Sequence, residues 1–325
     1  MRAIVVNEFG GEIQPSERPK PEAGPGQIQI ALEAAGVNPF DKKLIDGLLD
    51  GKVPYDFPMI PGVDGAGKVS AIGDGVRGFR VGDRVVGKFL VPPIGHGTWA
   101  EYIVVPENST VAAIPDEVTA IQAAALPTAA ITALDLVDAA GIVAGQSVLI
   151  VGAAGGVGSF LVQLAAGAGG NVIATARPDD TDRMVRLGAA EVVNYGVRVP
   201  ASDSPEPARY EATIADQVRA THPGGVDVLF DLVDGPDQLR ELTLLVREGG
   251  ALYSTVWAAD DTLLRSRRIS GGNFESSGGA AQLARLLDLA AKGELVIPID
   301  ATPPLAAAGK VVGAPGARGK TVLVI

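Results

Sequence analysis

The segment from Val148 to Gly158 constrains this chain more than any other. Val148-Leu149-Ile150-Val151 is a short run of aliphatic, mostly β-branched residues. It leads into Gly152-Ala153-Ala154-Gly155-Gly156-Val157-Gly158, and an apolar stretch continues to Gly167. A continuous apolar run of this length suits a strand covered on both faces, and glycines between such a strand and a helix mark the turn of a βαβ unit. Set against the pattern G-x-G-x-x-G, Ala153 takes the first glycine position, and Gly155 and Gly158 take the second and third. Gly155 lets the backbone approach a pyrophosphate, and Gly158 lets helix and strand pack closely. The helix N-terminus adds N–H groups and a favourable dipole. Gly152 to Gly158 is the expected phosphate loop of a nucleotide-binding domain.

The end of the next strand selects the dinucleotide. An acidic residue there bonds the adenosine 2′-hydroxyl, whereas a basic one accommodates a 2′-phosphate. Here the chain reads Thr175-Ala176-Arg177-Pro178. Arg177 points to NADPH, because a guanidinium pairs well with the extra phosphate. Asp179 and Asp180 follow, in position to begin the next helix, where acidic residues favour the dipole.

Strand candidates around this unit are 147–151, 171–175, 191–193, 226–232, 250–254 and 267–270. Helix candidates are 157–167, 180–187, 209–221, 236–246 and 280–291. Such alternation predicts an α/β fold with a doubly wound parallel sheet, a Rossmann domain. Before it, Gln27-Ile28-Gln29-Ile30-Ala31-Leu32 alternates with period two, and Gly-Asp and Gly-Val dipeptides recur through 73–87, the pattern of an antiparallel, barrel-like domain. The expected division is 1–118, completed by 298–325, for the barrel domain and 119–297 for the cofactor domain. The Pro-containing stretch 196–208 is expected to be a surface loop.

Composition excludes several classes. The chain has no cysteine and only two histidines, His96 and His222, so disulfides, thiolate zinc sites and a cysteine nucleophile are absent and no metal site is expected. A net charge of −11 weighs against nucleic-acid and anionic-membrane partners. No apolar run approaches the ~20 residues of a membrane helix. Met1-Arg2 leads directly into an apolar run without the regions of a signal peptide, which makes the cytoplasm the default location.

Further landmarks lie along the chain: Gly36-Val37-Asn38-Pro39-Phe40-Asp41, Ile60-Pro61-Gly62-Val63-Asp64-Gly65-Ala66-Gly67, Val81-Gly82-Asp83-Arg84-Val85, Gly97-Thr98-Trp99-Ala100-Glu101-Tyr102, Ala125-Leu126-Pro127-Thr128, Val193-Asn194-Tyr195 and Gly319-Lys320-Thr321-Val322-Leu323. With these in order over nearly its whole length, the chain resembles the medium-chain dehydrogenase/reductase superfamily, and within it the zinc-free quinone oxidoreductase (zeta-crystallin-like) branch. The resemblance implies a GroES-like substrate domain built from both chain ends, an inserted Rossmann domain, and a homodimer joined near Arg267 to Asn273. It also implies cofactor positions. Asn38 and Thr128 lie near the nicotinamide, Arg177 and Tyr195 near the adenosine 2′-phosphate, and Phe230, Leu232 and Val233 along the cofactor; Thr175 and Lys320 complete the set with the loop Gly152–Gly158.

Zinc-dependent relatives carry a histidine-glutamate pair where this chain has Val63-Asp64, and their cysteine ligands are missing here. Hydride addition to an ordinary ketone leaves a localised alkoxide that needs a Lewis acid. Addition to a quinone or to an alkene conjugated with a carbonyl leaves a delocalised charge that hydrogen bonds can stabilise. The expected activity is therefore reduction of a small quinone or α,β-unsaturated carbonyl by NADPH. Two alternatives stay open: an enoyl-thioester reductase, for which Arg265-Ser266-Arg267-Arg268 is the one dense basic patch, and a non-catalytic NADPH-binding protein. Asn38, Lys43 and Tyr55 are the catalytic candidates, with solvent as another proton source. Asp64 is expected to hold its own turn. For Asp41 two roles stay open, holding its loop or touching substrate. His96 is expected near the mouth of the cleft, with substrate contact left open.

Overall fold

The structure, a computed structural model, describes residues 1–195 and 213–325. The loop expected at 196–208 and the first residues of the helix expected at 209–221 fall outside the described residues. The chain divides into two compact units, Met1–Ile131 with Gly278–Ile325 and Thr132–Ser277.

The first unit contains β1 (Arg2–Val5), β2 (Gln14–Glu17), β3 (Gln27–Val37), α1 (Pro39–Ile45), β4 (Tyr55–Ile60), β5 (Asp64–Ile72), β6 (Arg84–Lys88), β7 (Ile94–His96), β8 (Tyr102–Pro106), β9 (Thr110–Ala113), α2 (Ala120–Ala124) and the first turn of α3 (Pro127–Ala140). β3 pairs antiparallel with both β5 and β8, and β5, β6 and β9 continue the sheet. The period-two pattern acts as expected on one face: Ile28, Ile30 and Leu32 are buried in a cluster with Val69, Val85 and Ile103. Gln29, on the other face, is buried as well. Its amide donates to the Pro21 carbonyl and its side-chain oxygen accepts from Ser70 Oγ at 2.7 Å, so neither polar end is stranded.

The second unit contains β10 (Ser147–Val151), α4 (Gly156–Gly167), β11 (Asn171–Ala176), α5 (Thr181–Arg186), β12 (Glu191–Asn194), α6 (Ile214–Thr221), β13 (Val226–Asp231), α7 (Pro236–Thr243), β14 (Val246–Ser254), α8 (Asp261–Ser266) and β15 (Ser270–Asn273). The strands form one parallel sheet in the order β12-β11-β10-β13-β14-β15. That is the doubly wound order, whose direction reverses between β10 and β13. Two elements depart from the sequence expectation. The last strand lies at Ser270–Asn273 rather than 267–270. Arg267 caps α8, Arg268 turns the chain with φ of 54°, and Gly271 is required because a Cβ there would collide with the Leu252 carbonyl of β14. The helix α8 was not expected; Asp260 starts it by accepting the N–H groups of Thr262 and Leu263. The arginine patch is engaged locally, Arg268 with Glu248 at 2.7 Å and Arg267 with the Val246 carbonyl.

The chain then returns to the first unit through α9 (Ala280–Ala291), β16 (Ile299–Ala301), α10 (Ala308–Val311) and β17 (Lys320–Val324), which pairs antiparallel with β3. The unit boundaries therefore differ from 118 and 298. The short α2 packs on β3, β5 and β6, and α9 packs on β9, so both helices belong to the barrel's core rather than to the parallel sheet.

Candidate functional site

The second unit carries the glycine-rich turn between strand and helix. β10 ends at Val151, Gly152 turns with φ of 84°, and Gly155 is the N-cap of the twelve-residue α4 with no side chain capping it. The N-cap side chain thus makes no hydrogen bond to the first turn of α4, the kind of helix start that, with the helix dipole, can receive an anion. The two motif glycines serve different ends. A Cβ on Gly158 would collide with the Gly152 carbonyl oxygen and come within 2.6 Å of Ala153 Cα, so this glycine closes helix against loop. A Cβ on Gly155 would meet only the Gly152 oxygen at 3.4 Å, an ordinary contact, which leaves the space outside the loop for a ligand.

Side chains brace this loop. The buried Thr175 hydroxyl accepts the Gly152 N–H at 3.1 Å, so Thr175 holds the loop rather than facing outward. Arg183, which the motif does not flag, spans the loop from α5: it donates to the Ala154 carbonyl at 2.9 Å, to Ser159 Oγ at 3.3 Å and to Asp180 at 2.9 Å. Asp180 is accordingly turned inward and paired, while Arg177 is exposed at the end of β11. Tyr195 stands at the end of the adjacent β12, exposed, its N–H donating to the Ala176 carbonyl at 3.1 Å. Arg177 and Tyr195 are thus brought together at neighbouring strand ends.

Beyond β13 a second buried support appears. Asp231 accepts the N–H groups of Val233 and Asp234 and the Ser254 hydroxyl, tying the loops after β13 and β14 together. Burial and the Asp231 charge push Asp234 up to about 6. Val233 is exposed and packs where a Gly152 Cβ would be; Leu232 is half-buried, its N–H on the Val151 carbonyl. Phe230 departs from the expectation: its side chain is fully buried, 5.9 Å from the Tyr253 ring, because it points into the sheet's packing.

The first unit holds a different kind of cluster, made by side chains. Asn38 caps α1 from a buried position. Its amide nitrogen donates to Asp64 at 2.9 Å, and its amide oxygen accepts from Lys320 Nζ at 2.5 Å. Lys320 also donates to the Val37 carbonyl at 2.9 Å. Asp41 accepts the N–H groups of Asn38 and Val63, which fits the loop-holding one of its two expected roles. Asp64 does not serve its own turn. It accepts from Asn38 and from both the N–H and the hydroxyl of Thr128 in the first turn of α3, the latter at 2.7 Å. Burial and the Asp64 charge push Asp41 up to about 7, against the pull of Asn38, Lys320 and Val63; burial drives Lys320 down, opposed by Asp64 and Asp41.

This arrangement corrects the cofactor positions at Asn38 and Lys320. Both are more than nine-tenths buried and spend their polar atoms on each other and on Asp64. Thr128 alone of the cluster is half-exposed. The other catalytic candidates lie elsewhere in the unit. Lys43 is exposed on the last turn of α1. The Tyr55 ring packs edge-on against Phe9 with centroids 4.9 Å apart; its hydroxyl oxygen is buried without a hydrogen bond, and burial pushes it above the ordinary phenol range. His96 is exposed beside Asp56 at 3.1 Å, at the rim of a pocket lined by Leu44, Met59, Val63, Phe89 and Ile94. Among the described residues no three His, Cys, Asp or Glu side chains gather to hold a metal ion, and no helix is long and apolar enough to cross a membrane.

Comparisons with known proteins agree with this architecture. Residues 24–116 match the family described as alcohol dehydrogenase GroES-like domain, and residues 187–323 match the one described as zinc-binding dehydrogenase. The Arabidopsis thaliana protein named chloroplast envelope quinone oxidoreductase homolog is 37% identical over 224 residues, covering 66% of this chain and 67% of that protein. A solved structure titled an NAD-dependent alcohol dehydrogenase is 30% identical, covers 100% of both chains and superposes with a TM-score of 0.83. A mycobacterial protein solved as a complex with NADPH is 27% identical, again over 100% of both chains, with a TM-score of 0.81.

Proposed function

Because the chain belongs to the medium-chain dehydrogenase/reductase superfamily, in its zinc-free quinone oxidoreductase branch, we propose that it is an NADPH-dependent reductase of quinones or α,β-unsaturated carbonyls. The observation that carries the cofactor choice is Arg177, exposed at the end of β11 while the nearby Asp180 is turned inward onto Arg183. A 2′-phosphate there meets a guanidinium rather than a carboxylate. NADPH, when bound, supplies the hydride. The α4 N-terminus would hold its pyrophosphate, and Arg177 with Tyr195 its adenosine end. Arg183 and Thr175 keep the phosphate loop in shape for both.

The acceptor class follows from the chain's own donors. The chain has no cysteine, Val63 is apolar, and all four hydrogen bonds at Asp64 are already accepted from Asn38 and Thr128. No ligand set is left at that turn to stabilise a localised alkoxide, which favours acceptors whose added charge is delocalised. We infer further that the protein works in the cytoplasm as a homodimer joined through β15, the edge strand of the parallel sheet; light scattering of Asn273→Pro against the parent chain checks the dimer, which should weaken.

The test is NADPH oxidation with a panel of quinones, enones and enoyl thioesters, NADH in parallel and EDTA present. Turnover that prefers NADPH and is indifferent to EDTA is expected. Preference for NADH, or loss of activity with EDTA, would overturn the proposal.

A further inference from the structure

Among the described residues, two that are not glycine have positive φ, Arg268 and Trp257. Arg268 is engaged with Glu248. Trp257, with φ of 64°, is 65% exposed, more than any other large apolar side chain described. A left-handed backbone costs a bulky residue free energy, and an indole standing in water recovers little of it by burial. Such strain persists only where the surroundings over-determine it, and here they do. Ser254, at the end of β14, donates its hydroxyl hydrogen to the buried Asp231 at 2.7 Å and accepts the Ala258 N–H at 3.2 Å. The Thr255 N–H donates to the Asp231 carbonyl and the Ala259 N–H to the Asn273 side chain, both at 3.0 Å. Ala258 is buried in one core cluster with Leu264 and Ile269. The chain is thus pinned on either side of Trp257, and the indole is held outward.

The strand order indicates what lies over it. In the reading above, the start of α4 after β10 receives the pyrophosphate, and Arg177 and Tyr195, at the ends of β11 and β12, take the adenosine end. With strands in the order β12-β11-β10-β13-β14-β15, the other half of a dinucleotide leaves the loop in the opposite direction, over the ends of β13 and β14. Val233, after β13, already abuts the loop: its Cγ1 lies 2.8 Å from where a Cβ on Gly152 would sit. Trp257 follows β14, one strand spacing of ~4.8 Å further on and within the reach of one nucleoside.

We propose that the Trp257 indole is a stacking platform for the nicotinamide ring, held outward at a cost in stability. This rests on the placement of adenosine at Arg177 and Tyr195, and every residue in it belongs to the second unit. Stacked aromatic rings attract beyond their area burial, and the electron-rich indole face favours a cationic ring over a neutral one. Trp257 therefore tightens oxidised cofactor more than reduced.

The experiment titrates NADP⁺, NADPH and adenosine 2′,5′-bisphosphate, which lacks the nicotinamide, into the parent chain, Trp257→Gly and Trp257→Phe, by calorimetry and absorption spectroscopy. An indole stacked on oxidised nicotinamide gives a charge-transfer absorption band that neither ring shows alone. The parent with NADP⁺ should show this band; the fragment, and NADP⁺ with Trp257→Gly, should not. The other tryptophan, Trp99, is fully buried and contributes none. Trp257→Gly should weaken NADP⁺ about tenfold and NADPH about threefold, and leave the fragment unchanged. It should melt no lower than the parent, because glycine accepts the positive φ without strain. Trp257→Phe, which keeps a ring, should retain part of the lost affinity. Absence of the band in the NADP⁺-saturated parent, dinucleotide affinities in Trp257→Gly equal to the parent's, or an equal loss for the fragment would overturn the proposal. A parent chain that prefers NAD⁺ and shows the band with it sinks the Arg177 reading and supports the platform; a parent chain that binds neither dinucleotide sinks both.

Discussion

The phosphate loop of the second unit and the polar cluster of the first solve the same problem, holding polar groups in a fixed place, by opposite means. The loop uses backbone. It is built from seven consecutive residues, and what it asks of side chains within them is chiefly their absence at Gly155 and Gly158. The cluster uses side chains from five places in the chain, Asn38, Asp41, Asp64, Thr128 and Lys320, with Asn38 and Lys320 separated by 282 residues yet 2.5 Å apart. A site made of backbone is encoded locally; one made of side chains exists only once the barrel has closed. Their vulnerabilities should differ accordingly.

The largest effect is expected in the cluster. Lys320→Met leaves Asp64, and above about pH 7 Asp41 as well, buried without a cation, a loss of about 3–5 kcal/mol in urea unfolding at pH 8. Adding Asp41→Asn removes one of the stranded charges and should restore part of it; a double variant no more stable than Lys320→Met would show that the charges are not what Lys320 serves. The loop should separate stability from binding instead. Gly158→Ala forces backbone apart and should lower stability by roughly 1–3 kcal/mol together with NADPH affinity. Gly155→Ala should leave stability within about 0.5 kcal/mol while weakening NADPH more than tenfold, because the added methyl occupies ligand space only. Equal destabilisation by the two alanines would erase the distinction between them.

Arg177→Ser probes the edge of the loop's site. Loss of charge-assisted bonds worth about 1.5–3 kcal/mol should cut the NADPH over NADH preference in kcat/KM by roughly ten- to a hundredfold, mainly through KM for NADPH. The smallest effect is a pH dependence. Asp41 is raised to about 7 from an ordinary carboxylate value near 3.8, so between those pH values the folded chain holds a proton that the unfolded chain has released. Stability contributed by this group is complete below the lower value and is lost as pH rises through 7. Relative to Asp41→Asn, which does not titrate, the parent chain should therefore lose Tm as pH rises from 4 to 8; a constant difference would mean that Asp41 is not the titrating group.

The same contrast governs how much could be read from sequence. The order of β10, β11 and β13, with ends good to one residue, the glycine-rich turn 152–158 and the exposed Arg177 were legible because each depends on residues close in the chain. β15 was not: Ser270-Gly271-Gly272-Asn273 has no apolar residue, and its glycine is demanded by the approach of Leu252 from another strand. Arg183 escaped notice because a surface-helix arginine carries no local sign that it will reach the Ala154 carbonyl. Family likeness places Asn38 and Lys320 at the ligand, whereas their burial and mutual bond follow from β17 pairing with β3, a contact between the two ends of the chain. For α8 the signal was present in Asp260, and a search for N-caps alone would have found it.

Hydride transfer to a conjugated acceptor is tested most directly with NADPH carrying deuterium at both positions of the nicotinamide C4, incubated with the purified chain and an enone, and the product analysed by mass spectrometry and NMR. Deuterium at the β-carbon of a saturated ketone is the predicted result. Deuterium on the carbonyl carbon of an allylic alcohol, or oxidation of NADPH without deuterium in the product, would contradict it.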